Sequence, residues 1–212
     1  TQDVPEESRL LLKNTYPDVK FFHPPETVVP EEFLDYWDPQ HFAWKCWLLN
    51  YVCSSPEYKD RLVLYLDAGV FCCRWPSDLL RIAYEDGVCL LEDPRQINDQ
   101  WCHDTFKQTL HMTESEKKSQ QIAANIQAFK AGHPDAVNFY AQTYHISMEK
   151  KIISGIKWEG VRDGKPFGHR HDQSIMSLLS YRMGLTRYPL DKVYCDISLR
   201  KTFISGKAFY VH

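Results

Sequence analysis

The run Leu62-Val-Leu-Tyr-Leu66, closed by Asp67-Ala-Gly69, constrains this chain most. Five apolar residues without alternation predict a strand covered on both faces, as in a parallel α/β sheet. The run ends on a carboxylate, and Gly69 two residues later lets the backbone turn or a ligand approach. Open α/β sheets place ligands at the carboxyl ends of their strands. An acid there either holds a hard cation, which in turn holds a phosphate, or caps its own loop. From this stretch alone both readings stand.

The 212 residues, 43% of them apolar, suffice for one substantial core, so a single domain is expected. A net charge of −3 supplies no basic field for nucleic acid. No apolar run nears the roughly 20 residues of a membrane span, and no signal peptide opens the sequence, so a soluble, cytoplasmic protein is expected. Its seven cysteines include the adjacent Cys72 and Cys73 but no CxxC pair, which fits reduced thiols better than disulfides or zinc. Cys46, Cys53 and Cys89 lie in apolar stretches and are expected in the core.

Helices are expected over residues 6–15, over Pro30 to Trp37, and over about 39–53 with Asp38 as N-cap. Further helices are expected from Pro76 to Glu85 with a stop at Asp86-Gly87, from Gly132 to Ser147, and from Asp172, as N-cap, to Met183. Strands are expected at Val19–His23, Val88–Leu91, Gln121–Phe129 (with Asn125 in its middle) and Lys151–Ile156. Residues 94–117, polar and weakly periodic, read as a loop or lid with one short helix. Lys45 amid apolar residues either snorkels to solvent or points at a phosphate. His169, Arg170, His171, Asp172 and Gln173 crowd a helix entrance, where anions settle; a capped helix with a polar collar is the plainer reading.

Taken together, Phe42-Ala-Trp-Lys45, Leu64-Tyr-Leu-Asp-Ala-Gly69, the strand with Asn125, and His171-Asp-Gln-Ser174 resemble nucleotide-sugar glycosyltransferases of the GT-A fold. The likeness spans about residues 20–212 and extends to a chlorella-virus-encoded member that forms the N-terminal domain of a large multidomain protein. It implies a Rossmann-like, mostly parallel central sheet flanked by helices, with a nucleotide-binding part over about 1–93 and an acceptor or lid part over about 94–212. It also implies a UDP-sugar donor, a glycan acceptor, Mn²⁺ or Mg²⁺ as cofactor, and a place in a longer chain, in a host-cell cytoplasm if viral.

The resemblance also assigns roles. Asp67, Ala68 and Gly69 stand where the family has an Asp-x-Asp motif, so the second carboxylate is missing. His212 stands near the histidine that completes the metal shell in glycogenin-like members, and Lys207 stands where a phosphate would be neutralised. Lys45 matches a lysine on the helix before the acidic strand, Asn125 matches the strand that faces donor and acceptor, and Asp172 and Gln173 match the pair set against the donor sugar. These likenesses imply retention; inversion would need a base, for which Asp172, then His169 or His171, are the candidates. Two other readings stay open: a nucleotide-sugar or glycan-binding module without turnover, and a metal-dependent hydrolase using Asp67 with His169 and His171.

Overall fold

The computed structural model describes residues 5–19, 36, 38, 40–192, 194–196 and 209–211. The expected strand at Val19–His23 and the helix from Pro30 fall, but for Val19 and Tyr36, outside the described residues, as do Lys207 and His212. The chain divides into two compact units, residues 1–32 and 33–212. In the first, helix α1 spans Glu6–Thr15 with Glu6 and Glu7 in its first turn, where the helix dipole favours acids.

The second unit is a mixed α/β structure. Helix α2 (Ala43–Ser54) precedes strands β1 (Leu62–Leu66) and β2 (Val70–Cys72), helix α3 (Ser77–Asp86) and the long strand β3 (Val88–Ile97). Three short helices follow, α4 (Asn98–Trp101), α5 (Asp104–Thr109) and α6 (Glu114–Lys118). Strands β4 (Gln120–Ile122) and β5 (Ile126–Lys130) lead into α7 (Pro134–Ser147) and α8 (Lys150–Ile153). The hairpin β6 (Gly160–Arg162) and β7 (Lys165–Phe167) leads to α9 (Asp172–Arg182), β8 (Arg187–Pro189), β9 (Tyr194–Asp196) and β10 (Phe209–Val211).

The main sheet runs β1-β5-β3-β4, with β8 also on β3. Within this sheet, among the described residues, β1 and β5, β5 and β3, and β3 and β4 pair antiparallel, and β3 and β8 pair parallel. The expectation of a mostly parallel sheet is therefore corrected: this sheet is mixed and mostly antiparallel. β1 is not its buried centre either. Among the described residues it ends the strand order and is half-buried, with Leu62 exposed.

Strand alternation explains the layers. Leu64, Leu66, Cys89, Leu91, Ile126 and Ala128 pack with Leu79 and Ala83 of α3 in one core cluster. The intervening residues face the other way: the Phe129 ring lies 4.7 Å from that of Tyr140 on α7, and the Tyr140 hydroxyl donates to Gln127 Oε1 at 3.0 Å. Helix α3 thus covers one face, and α7, packed against α2 and α9, covers the other. Helix α9 is buried nearly all round. Its serines tolerate this because their hydroxyls donate to backbone carbonyls, Ser174 to Trp101, Ser177 to Gln173 and Ser180 to Ser177.

Other local expectations change for definable reasons. The stretch expected as one strand through Asn125 is two strands, β4 and β5, joined by a turn at Ala124-Asn125. Lys151–Ile156, expected as a strand, begins as helix α8. Residues 94–117 are no lid: β3 continues to Ile97, and α4, α5 and α6 bury Asn98, Trp101, Phe106 and Glu116. A capping box at Thr113 and Glu116 starts α6. Asp38 caps a turn through Gln40 N–H rather than α2, which starts after Phe42 in the left-handed region. Cys46, Cys53 and Cys89 are buried as expected, and each is a free thiol. No helix among the described residues is long and apolar enough to cross a membrane.

Candidate functional site

A cavity of about 320 Å³ opens where β1 ends, between the β4–β5 turn and the start of α9. Tyr65 and Asp67 lie two residues apart and so share the strand face turned toward α2. Lys45 comes off α2 beneath them, only 2% exposed. Its ammonium lies 3.0 Å from Asp67 Oδ1 and 3.0 Å from Asp172 Oδ2. It also lies 5.2 Å from the Phe42 ring centroid and 5.4 Å from that of Tyr65. Burial alone would lower its pKa, but Asp172 and Asp67 together push it above the ordinary lysine value. The ammonium stays charged because it bridges two carboxylates.

Asp172 occupies the first turn of α9, where the dipole favours an anion. Burial nevertheless raises its carboxyl above the usual range, against the pull of Lys45. The expectation that Asp172 is the N-cap is corrected: His171 is, with φ 51° and ψ −119° and no side-chain cap bond, and Asp172 is the first helical residue. That backbone is strained for a residue with a Cβ. It is held by the ring, whose Nδ1–H donates to Ile153 O at 2.7 Å.

Lys45, Asp67, Asn125, Asp172 and Gln173, separated widely in sequence, all line this cavity. Asn125 joins through its turn, where its carbonyl accepts from Asp67 N–H at 2.9 Å. Ala68 and Gly69 are exposed in the turn beyond Asp67 and do not line the cavity. Sequence reasoning missed a polar wall opposite the lysine. Gln173 Nε2 donates to Gln96 Oε1 and Gln121 Oε1, each at 2.8 Å. Arg95 forks onto Asp93, Nε to Oδ1 and Nη2 to Oδ2, both at 2.9 Å. Arg170 stacks 4.3 Å from the Trp101 ring centroid, and Lys157 completes the rim. The signal was present in Asp93-Pro-Arg-Gln96, but that stretch reads as a strand end followed by a loop. Four basic side chains (Lys45, Arg95, Lys157, Arg170) and three acidic ones (Asp67, Asp93, Asp172) line the cavity, leaving one positive charge in excess. A cavity of that sign attracts anions.

The donor set tests whether a cation fits. Asp67 Oδ1 takes both Lys45 and the Tyr65 hydroxyl, at 2.6 Å from the latter, so Oδ2 carries neither. Asp93 is committed to Arg95. No group of three or more His, Cys, Asp or Glu among the described residues is placed to hold a metal. At the strand end Asp67 thus offers one carboxylate oxygen, which suits a hard cation only where phosphate oxygens complete the shell.

His169 does not line the cavity. It is 0% exposed, stacked on His103 with ring centroids 4.0 Å apart. Burial, His103 and His171 hold its pKa well below the usual imidazole value. His103 accepts from Phe106 N–H at Nδ1 and donates to Ser154 O from Nε2.

Comparison with protein-family models, with curated proteins and with solved structures gave no match.

Proposed function

We propose that this chain is a glycosyltransferase that moves a sugar from a nucleoside diphosphate sugar, in the first place a UDP-sugar, to a glycan hydroxyl. One observation carries the reading: a buried lysine ties a strand-end acid to a helix-start acid at the base of a polar, net-positive cavity. Sugar hydroxyls suit the Asp172 and Gln173 side, where a carboxylate and an amide lie side by side. Diphosphate suits the Lys157, Arg170 and Arg95 side, because these groups meet the charge that grows on the departing nucleotide. Lys45 opposes the rise that burial gives the Asp172 carboxyl and holds it in position. A Mn²⁺ or Mg²⁺ would be held by Asp67 together with the diphosphate, and when bound would screen the leaving-group charge. Among the described residues no carboxylate of the cavity is set apart as a base for an acceptor hydroxyl, since Asp172 and Asp67 both hold Lys45 and Asp93 holds Arg95, and this favours retention over inversion.

A binding module without turnover is the second reading, favoured by the engagement of both Asp172 and Gln173 inside the protein. The hydrolase reading needs His169 and His171 on one ion, whereas His169 lies in the core stack and only His171 lines the cavity. Titration calorimetry with UDP-sugars, with and without Mn²⁺, followed by an assay for released UDP, decides between transfer and the module, and release from phosphoesters unrelated to nucleotide sugars would support the hydrolase. Binding with release supports transfer, and binding without release supports the module. Failure of any UDP-sugar to bind refutes both.

A further inference from the structure

An aromatic platform stands at the cavity rim. Trp158 is 56% exposed, and Ile156 and Val161 beside it are also largely exposed. Exposed apolar groups of this size on a mobile loop would mean little. These are pinned. His169 N–H donates to Ile156 O at 3.0 Å, and Glu159 N–H donates to Phe167 O at 2.8 Å. Gly168 allows the close approach: a Cβ there would lie 2.3 Å from Lys157 O. The hairpin that follows is clamped by Arg162, which lies 3.5 Å over the Phe167 ring and donates to both carboxylate oxygens of Asp104.

The platform is also continuous with the cavity. Lys157, the residue before Trp158, lines it. The Trp158 ring lies 6.0 Å from that of Trp101, on which the cavity-lining Arg170 stacks. A pinned indole, 56% exposed and flanked in sequence by Lys157 and Glu159, matches a hexose ring: axial C–H groups lie on the face while hydroxyls reach the neighbouring charges.

We infer that Trp158 is the stacking residue of a glycan-binding subsite, which takes the ring of the acceptor and presents its hydroxyl to the cavity. The occupant is a neutral oligosaccharide. The inference rests on the transferase reading for the word acceptor, but not for the binding of sugar itself.

The test is titration of the whole chain with maltotriose, cellotriose and chitotriose by calorimetry and saturation-transfer NMR, using wild type, Trp158→Phe and Trp158→Ala. At least one trisaccharide binds wild type. Trp158→Ala weakens it about thirtyfold, the loss typical of truncating a tryptophan anchor. Trp158→Phe, which keeps a ring, loses less. Thermal unfolding midpoints stay together, since the side chain is exposed. Wild type that binds none of the three, or Trp158→Ala that binds as wild type does, overturns the inference. Self-association abolished by Trp158→Ala, with no sugar bound, overturns it too and makes the patch a contact between copies. Trisaccharide binding lost in Trp158→Ala, in a protein that binds no UDP-sugar, upholds the subsite while the transferase reading fails.

Discussion

Replacing Lys45 by methionine tests the electrostatic centre of the site. At an effective dielectric of about 20, each 3.0 Å pair represents about 5–6 kcal/mol of gross attraction. Much of this is offset by the desolvation of an ammonium that is 2% exposed. Methionine keeps the volume and leaves Asp172 buried without its counter-charge. The loss typical of breaking a buried pair is about 3–5 kcal/mol. The pH dependence separates this from mere repacking. Burial already raises the Asp172 carboxyl, and Lys45 is the strongest influence opposing that rise. Without Lys45 the folded pKa climbs further. The penalty is then fully present well above that pKa and fades as falling pH protonates the acid. Urea unfolding at pH 8 and pH 5, read at constant m-value, measures both. The loss should be largest at pH 8. A second change, Asp172→Asn, in the Lys45→Met background should restore at least about 2 kcal/mol at pH 8, since it removes the orphaned charge. A cost below about 1 kcal/mol at pH 8, or no restoration by Asp172→Asn, refutes the bridging lysine.

Three further outcomes follow from the same geometry. Asp67→Asn should cut UDP release at least about a hundredfold while moving the unfolding free energy by only about 1 kcal/mol; equal losses count against a functional role. His169, whose folded pKa lies well below 6.5, binds its proton only in the unfolded chain, so stability falls as pH drops below about 6.5. Its share is up to about 1.4 kcal/mol per pH unit. Because the raised Asp172 works in the opposite sense, the readout is the difference in urea midpoints between wild type and His169→Phe; an unchanged slope in the variant refutes it. Gly168→Ala drives a Cβ to 2.3 Å from Lys157 O. It should cost about 1–3 kcal/mol and raise hydrogen exchange at Glu159; retained protection there refutes the pinning of the Trp158 segment.

The site was easier to read from the sequence than the sheet that carries it, and the reason is physical. Chemistry rides on single residues: Lys45 amid apolar neighbours, an acid closing a strand and an acid opening a helix are each conspicuous alone. The bounds of α3 were equally legible, because Pro76 and Gly87 punctuate it and Gly87, at φ 82°, has no room for a Cβ beside His133. Strand direction leaves no such mark. Leu62–Leu66 is contacted on both faces but only half-buried, with Leu64 and Leu66 toward α3 and Tyr65 toward Lys45 on α2. A continuous apolar run reports that coverage and nothing about its neighbour's polarity, so inferring a parallel sheet from it joined two separate properties. The polar wall stayed hidden for a related reason. Gln96, Gln121 and Gln173 are unremarkable one at a time and become a site only when β3, β4 and α9 bring their amides within 2.8 Å. Residues whose role depends on partners from three elements need the topology first, whereas a buried charge announces that a partner must exist before the topology is known.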